Sequence, residues 1–146
     1  MVVPTLNSKI TSRVITSIDR YLREKGYTTL IQNSDHNIDQ ELQNIQRLIQ
    51  LNVDGILISS IAITKDHKEL LKKAGIPVVV LTQDYEDGIS IIYDDYHAGK
   101  AMGEHIGKKG HQKVGYIGVY ETDKAVGTER RNGVLAVSYT HLTLPT

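Results

Sequence analysis

Two clusters in this chain hold residue types that carry chemistry elsewhere. Ser34-Asp35-His36 lines up a hydroxyl, a carboxylate and an imidazole, the parts of a nucleophilic triad. A working triad needs side chains that converge from separate places, so three consecutive residues read as a polar loop instead. Asp94, Asp95 and His97 offer two carboxylates and an imidazole, a donor set that could hold a divalent cation. The same residues suit a helix start, where carboxylates meet the positive end of the dipole, and that is the reading adopted. None of the six histidines pairs at His-x-x-x-His spacing. The chain has no cysteine, which removes thiol nucleophiles, thiolate metal sites and disulfides together. No Gly-x-Ser-x-Gly elbow, phosphate loop or Gly-x-Gly-x-x-Gly fingerprint occurs. The expectation is a protein that is not an enzyme, with no catalytic residue, metal or cofactor.

What remains is binding. Leu6-Asn7-Ser8-Lys9, Asn33-Ser34-Asp35, Ser59-Ser60, Gln83-Asp84 and Asp94-Asp95 are short polar runs, each following an apolar run. Hydroxyls, amides and carboxylates suit sugar hydroxyls, which both donate and accept. Such runs form one site only if the elements before them deliver them to one edge.

Those elements alternate. Residues 2–5 read as a first strand. Ile10, Val14, Ile18 and Leu22, spaced by four, mark one face of a helix that Gly26 stops. Residues 28–32 read as a strand. Asn37 with Gln40 looks like a helix start, and Leu42, Ile45, Leu48 and Ile49 form the stripe behind it. Ile56-Leu57-Ile58 and Val78-Val79-Val80-Leu81 are unbroken apolar runs, as in strands covered on both faces. Between them residues 64–73 form a polar helix ended by Gly75. Residues 89–93 read as a strand, and Ala98, Met102 and Ile106 sit on the next helix. Residues 113–119 read as the last strand, with a helix starting near Thr128 or Glu129. This order predicts an α/β fold, a doubly wound, mostly parallel sheet with helices on both faces. Ligands of such sheets sit beyond the carboxyl ends of the strands, where the polar runs fall.

The 146 residues suffice for one domain. Lys plus Arg and Asp plus Glu are 17 each, so the chain lacks the cationic excess that gripping DNA requires. No apolar stretch nears membrane-spanning length, and the start lacks the basic and apolar regions of a signal peptide. The expectation is a cytoplasmic protein without membrane contact. Residues 137–146 depart from the pattern and resemble a translated sequencing-adapter tail. They read as a non-native tail, with residues 1–136 the truncated domain proper; a short final strand is the alternative.

Four segments together resemble the LacI/GalR repressor family. They are Gly110-His111-Gln112-Lys113-Val114-Gly115-Tyr116-Ile117-Gly118, Val53-Asp54-Gly55-Ile56-Leu57-Ile58, Ile76-Pro77-Val78-Val79 and Arg130-Arg131-Asn132-Gly133. The resemblance covers residues 2–136. It implies the amino-terminal lobe of a two-lobed, periplasmic-binding-protein-like effector domain. A small sugar or sugar phosphate would bind in the cleft and shift the grip of a homodimer on operator DNA. DNA contact would come only through an amino-terminal helix-turn-helix that is missing here, and the second lobe is missing too. The family's ligand-holding arginine carries over to Arg130, with Arg131 as fallback.

Within the family, Tyr93-Asp94-Asp95, Gly118-Val119, Asp123, Gly127 and Arg130-Arg131 are most similar to trehalose-responsive members. That implies trehalose or trehalose 6-phosphate as effector. Those members place arginines at the positions of Thr5 and Gln83, where this chain has none. A phosphate without forked cationic partners is costly to desolvate, and Lys9 replaces them only as a point charge. The expected ligand residues are therefore Thr5, Asn7, Lys9, Ser60, Gln83, Asp95 and Arg130. Half a cleft would bind sugar very weakly, because tight sites bury most of the ligand. Two other readings are a sugar-binding protein of a transport system and an enzyme on a flavodoxin-like sheet. The enzyme lacks any acid–base or nucleophile constellation. A signal peptide encoded upstream would favour transport, and a helix-turn-helix would favour the repressor.

Overall fold

Short polar signals set where the helices begin. Ser8 accepts the Thr11 amide proton at 3.3 Å and starts α1 (Lys9–Glu24). Asn37 accepts from the Gln40 amide at 2.9 Å and starts α2 (Ile38–Gln50). Thr64 starts α3 (Lys65–Ala74), which Gly75 ends in the left-handed region at φ 66°. The computed structural model describes residues 1–111 and 113–141. They fall into two compact units, Met1–Ile91 and Ile92–Thr146.

The first unit is a five-stranded sheet with helices on both faces. Its strands are β1 (Val2–Val3), β2 (Gln32–Asn33), β3 (Ile56–Ser59), β4 (Val78–Leu81) and β5 (Ile89–Ile91). They lie in the order β2-β1-β3-β4-β5, and every neighbouring pair is parallel. Alternate residues feed opposite faces. Val2, Ile56, Ile58 and Val80 pack with Ile45 and Leu48 of α2 and Leu71 of α3. Val3 and Leu81 pack with Met1 and Ile15 of α1, joined by Leu57 and Val79. Each such side chain, taken from water to full burial, contributes about 1.5–3 kcal/mol. The doubly wound arrangement expected from the unbroken apolar runs is the one observed.

The second unit holds α4 (Asp95–Lys108), a π-helical turn over Lys124–Glu129 and α5 (Arg130–His141). Its helices touch through glycine. A Cβ on Gly99 would lie 2.0 Å from the Arg130 carbonyl oxygen, and one on Gly133 would lie 2.0 Å from that of Tyr96. The two backbones are in direct contact.

Several elements differ from the sequence reading; β1 and β5 each stop two residues short of the expected 2–5 and 89–93. β2 is Gln32–Asn33 rather than residues 28–32, because β1 presents only Val2 and Val3 as rungs. Residues 114–120 form no strand. Of the expected 113–119 only Lys113 forms a bridge, and Ile117 is fully exposed, so the run buries little apolar surface against a sheet. The helix expected near Thr128 or Glu129 is α5, starting at Arg130, and a π-helical turn capped by Asp123 precedes it. On α4 the buried positions are Asp95, Gly99 and Gly103, while Met102 faces outward at 58% exposure, because close backbone approach replaces an apolar stripe. Residues 142–146, part of the segment read as a tail, lie outside the described residues; α5 itself runs through Val137, which is buried.

Candidate functional site

Because all five strands are parallel, their carboxyl ends share one edge of the first unit. The chain leaves β1 at Pro4-Thr5, β2 at Ser34, β3 at Ser60 and β4 at Thr82-Gln83. Thr5 accepts the Asn7 amide proton through Oγ1 at 3.1 Å, which turns the chain into α1. Asn7 and Lys9 are exposed and line an open groove of about 550 Å³ along α1, with Arg13 and Arg20. Ser60 is buried and folded into its own loop: Oγ donates to the Ala62 carbonyl oxygen at 2.9 Å and accepts the Ala62 amide at 3.2 Å. Thr82 Oγ1 reaches the Ser60 carbonyl at 3.4 Å, so the ends of β3 and β4 are adjacent. Gln83 is buried beside them.

Thr82 is also strained. Its φ of 73° is left-handed, a region that β-branched residues rarely enter. The Thr82 N–H holds it there by donating to the Ile91 carbonyl at 2.8 Å. Strain of this kind persists where the surroundings over-determine the backbone, and it concentrates at ligand edges.

The remaining two expected residues meet in the second unit. Asp95 is 4% exposed, and its Oδ1 accepts from Arg130 Nε at 3.0 Å and from Nη2. Arg130 stays half exposed, so its outer face can serve a ligand while its inner edge is fixed. Asp94 caps α4: its Oδ1 accepts from the His97 amide at 3.2 Å and contacts His97 Nδ1 at 2.8 Å. The side-chain hydrogen bond from His97, with the backbone one, holds the Asp94 carboxyl below its ordinary range. Asp94, Asp95 and His97 are thus divided between a helix cap and an ion pair. Among the described residues no group of three or more His, Asp or Glu is placed to hold a metal ion, and no helix is long and apolar enough to cross a membrane.

Residues 1–143 match the family described as periplasmic binding protein domain. The chain belongs to this family.

This periplasmic binding protein domain is 30% identical over 135 residues to the sucrose operon repressor of Staphylococcus xylosus, covering 92% of this chain and 42% of that protein. Two solved structures share its fold. The Cra transcriptional dual regulator of Pseudomonas putida, in complex with fructose 1-phosphate, has a TM-score of 0.86 at 21% identity, covering 98% of this chain and 55% of the other. The trehalose repressor of Escherichia coli has a TM-score of 0.80 at 24% identity, covering 99% and 58%. The chain therefore spans less than half the length of the sucrose operon repressor it matches.

One constellation in the periplasmic binding protein domain was not visible in the sequence. Glu41 of α2, His67 of α3 and Ser34 after β2 are all buried. Glu41 Oε1 lies 3.0 Å from His67 Nε2, and Glu41 Oε2 accepts from Ser34 Oγ at 3.3 Å. The Ser34 hydroxyl thus faces Glu41, while His36 is exposed. The only local hint is Thr64 three residues before His67, the spacing of a capping box.

Proposed function

We propose that this chain is the amino-terminal lobe of the sugar-effector domain of a LacI-type transcription regulator. The observation that carries the reading is the parallel sheet itself. It delivers Thr5, Ser60 and Gln83 to one edge, with Asn7 and Lys9 at the start of α1 beside it. In the second unit, taken by itself, the family resemblance makes Arg130, oriented by Asp95, a ligand candidate. The site does no chemistry on its ligand. Occupancy shifts the population between two arrangements of a homodimer, and with it the affinity for operator DNA. DNA contact comes from a helix-turn-helix outside this chain, and the whole protein works in the cytoplasm.

The ligand is a neutral disaccharide of the trehalose or sucrose kind. Thr5 and Gln83 are uncharged, and neither supplies the forked cation a phosphate group needs. Similarity to a sucrose operon repressor supports a disaccharide. The relative's regulatory role also favours this reading over a transport protein. With one lobe, binding is weak, because the ligand keeps much of its solvent contact.

The test is a thermal-shift panel on the full-length protein, with trehalose, trehalose 6-phosphate, sucrose and glucose. Trehalose or sucrose should raise the melting temperature and change retention of operator DNA. A shift with none of these sugars refutes the reading. A signal peptide in place of a helix-turn-helix upstream of residue 1 would select the transport protein.

A further inference from the structure

We propose that Glu41 is a positioning residue: buried in α2, it fixes both the loop after β2 and the first turn of α3 at the sugar edge. This rests on the reading of that edge as the sugar site. Four polar side chains, Ser34, Glu41, Asn44 and His67, are each 2% exposed or less. Burying such groups is costly unless each finds a partner, and here each does. The Thr64 backbone N–H donates to His67 Nδ1 at 3.3 Å, and Thr64 Oγ1 lies 2.7 Å from the same nitrogen. Nδ1 is therefore the acceptor, which leaves the ring N–H on Nε2 to donate to Glu41 Oε1. Through His67, Glu41 secures the cap of α3. Through Ser34 it secures the end of β2.

The loop it holds is an unfavourable one. Asp35 and His36 are consecutive non-glycine residues in the left-handed region, at φ 53° and 59°. They stay there because the loop is pinned on each side. Ser34 N–H donates to the Val3 carbonyl and His36 N–H to that of Pro4, each at 2.9 Å. One turn along α2 from Glu41, Asn44 Nδ2 donates to the Asn33 carbonyl at 3.0 Å. Replacing a buried polar pair by well-packed apolar groups often leaves stability unchanged, so stability alone does not account for this network. A rigid, unique arrangement of two loops at one edge does.

The test is amide hydrogen exchange by NMR on the 146-residue chain and on the double variant Glu41→Leu/His67→Leu. The double variant should fold: the Ser34 hydroxyl retains the Val3 carbonyl at 3.2 Å, and the Thr64 N–H, which loses His67 Nδ1, is only partly buried and can turn to water. Amides at residues 34–37 and 64–67 should exchange at least roughly tenfold faster, the scale of losing one hydrogen bond to a charged group. Those of β3 and β4 should hold. The single variant Glu41→Gln keeps an oxygen for His67 and should restore most of the protection. Unchanged loops, or equal loss across β3 and β4, would overturn the proposal. If the double variant does not fold, the unmodified chain decides. The Asn37 and His67 amides should open at one shared rate, and unrelated rates would overturn it. Titration with trehalose and sucrose in the same samples separates the two ideas. Sugar-induced shifts absent from the unmodified chain refute the sugar reading, while the exchange data still decide the role of Glu41.

Discussion

Gly99→Ala tests how the second unit holds its arginine. A helical glycine replaced by alanine ordinarily gains about 1 kcal/mol of helix propensity. Here the added Cβ would sit 2.0 Å from the Arg130 carbonyl oxygen and 2.9 Å from its carbonyl carbon. Ordinary contact begins near 3.4 Å, so α4 and α5 must separate by more than an ångström at a point where only backbone can give way. Overpacking of this kind costs about 1–3 kcal/mol, and backbone contact puts it at the upper end. The net expectation is destabilisation by about 1–2 kcal/mol, a fall in melting temperature of about 3–8 °C for a chain of this size. Gly103→Ala is the internal comparison. Its Cβ would meet the Val134 carbonyl and the Val137 Cβ at 3.2 Å, a contact a slight shift relieves, so its cost should be smaller. Thermal unfolding by circular dichroism reads both. A Gly99→Ala protein as stable as the original, or less damaged than Gly103→Ala, would refute the close approach that holds Arg130 against Asp95.

Other expectations follow from the caps and pairs. Arg130→Ala leaves the buried Asp95 carboxylate without its ion-pair partner and should destabilise by about 1–3 kcal/mol, below the range for a wholly buried pair because Arg130 is half exposed; urea unfolding reads it. Asp95→Asn should cost less, because Arg130 can return to water. Asn37→Ala removes the α2 cap and should cost about 1 kcal/mol in the same assay. The Asp94 pKa is depressed in the folded state, so its contribution is present above the ordinary carboxylate range and is lost as pH falls through the lowered value; the His97 amide shift should follow that transition, and Asp94→Ala should abolish it. Ile117→Ser should change the melting temperature little, since Ile117 is fully exposed.

The parts of the fold legible in the sequence were those set by near neighbours. Asn37 as a cap, Gly26 and Gly75 as stops, and the unbroken runs of β3 and β4 are local features whose outcome needs little else. Strands need partners, which is why β2 came out shorter than its β-prone residues, and of the expected strand over 113–119 only Lys113 forms a bridge. On α4, apolar Met102 suggested the inner face, yet glycine is inside because the neighbouring backbone takes the space of a side chain. The candidate site divides the same way. Which polar runs lie at one edge follows from parallel topology. The join of Glu41 to His67 spans 26 residues and uses side chains common on exposed helices, so no spacing rule marks it. Arg130 was singled out by family resemblance rather than by local pattern, and its partner Asp95 lies 35 residues earlier.

The most direct measurement is a titration of the isotope-labelled chain with trehalose and with sucrose, followed residue by residue in amide and arginine Nε spectra at tens of millimolar, the range for binding weaker than about −4 kcal/mol. The account predicts saturable shifts at Asn7, Ser34, Ser60 and Gln83, with the opposite edge, at Gly26, Asn52 and Gly75, left unmoved. Shifts centred on that opposite edge, or none with either sugar, would contradict it.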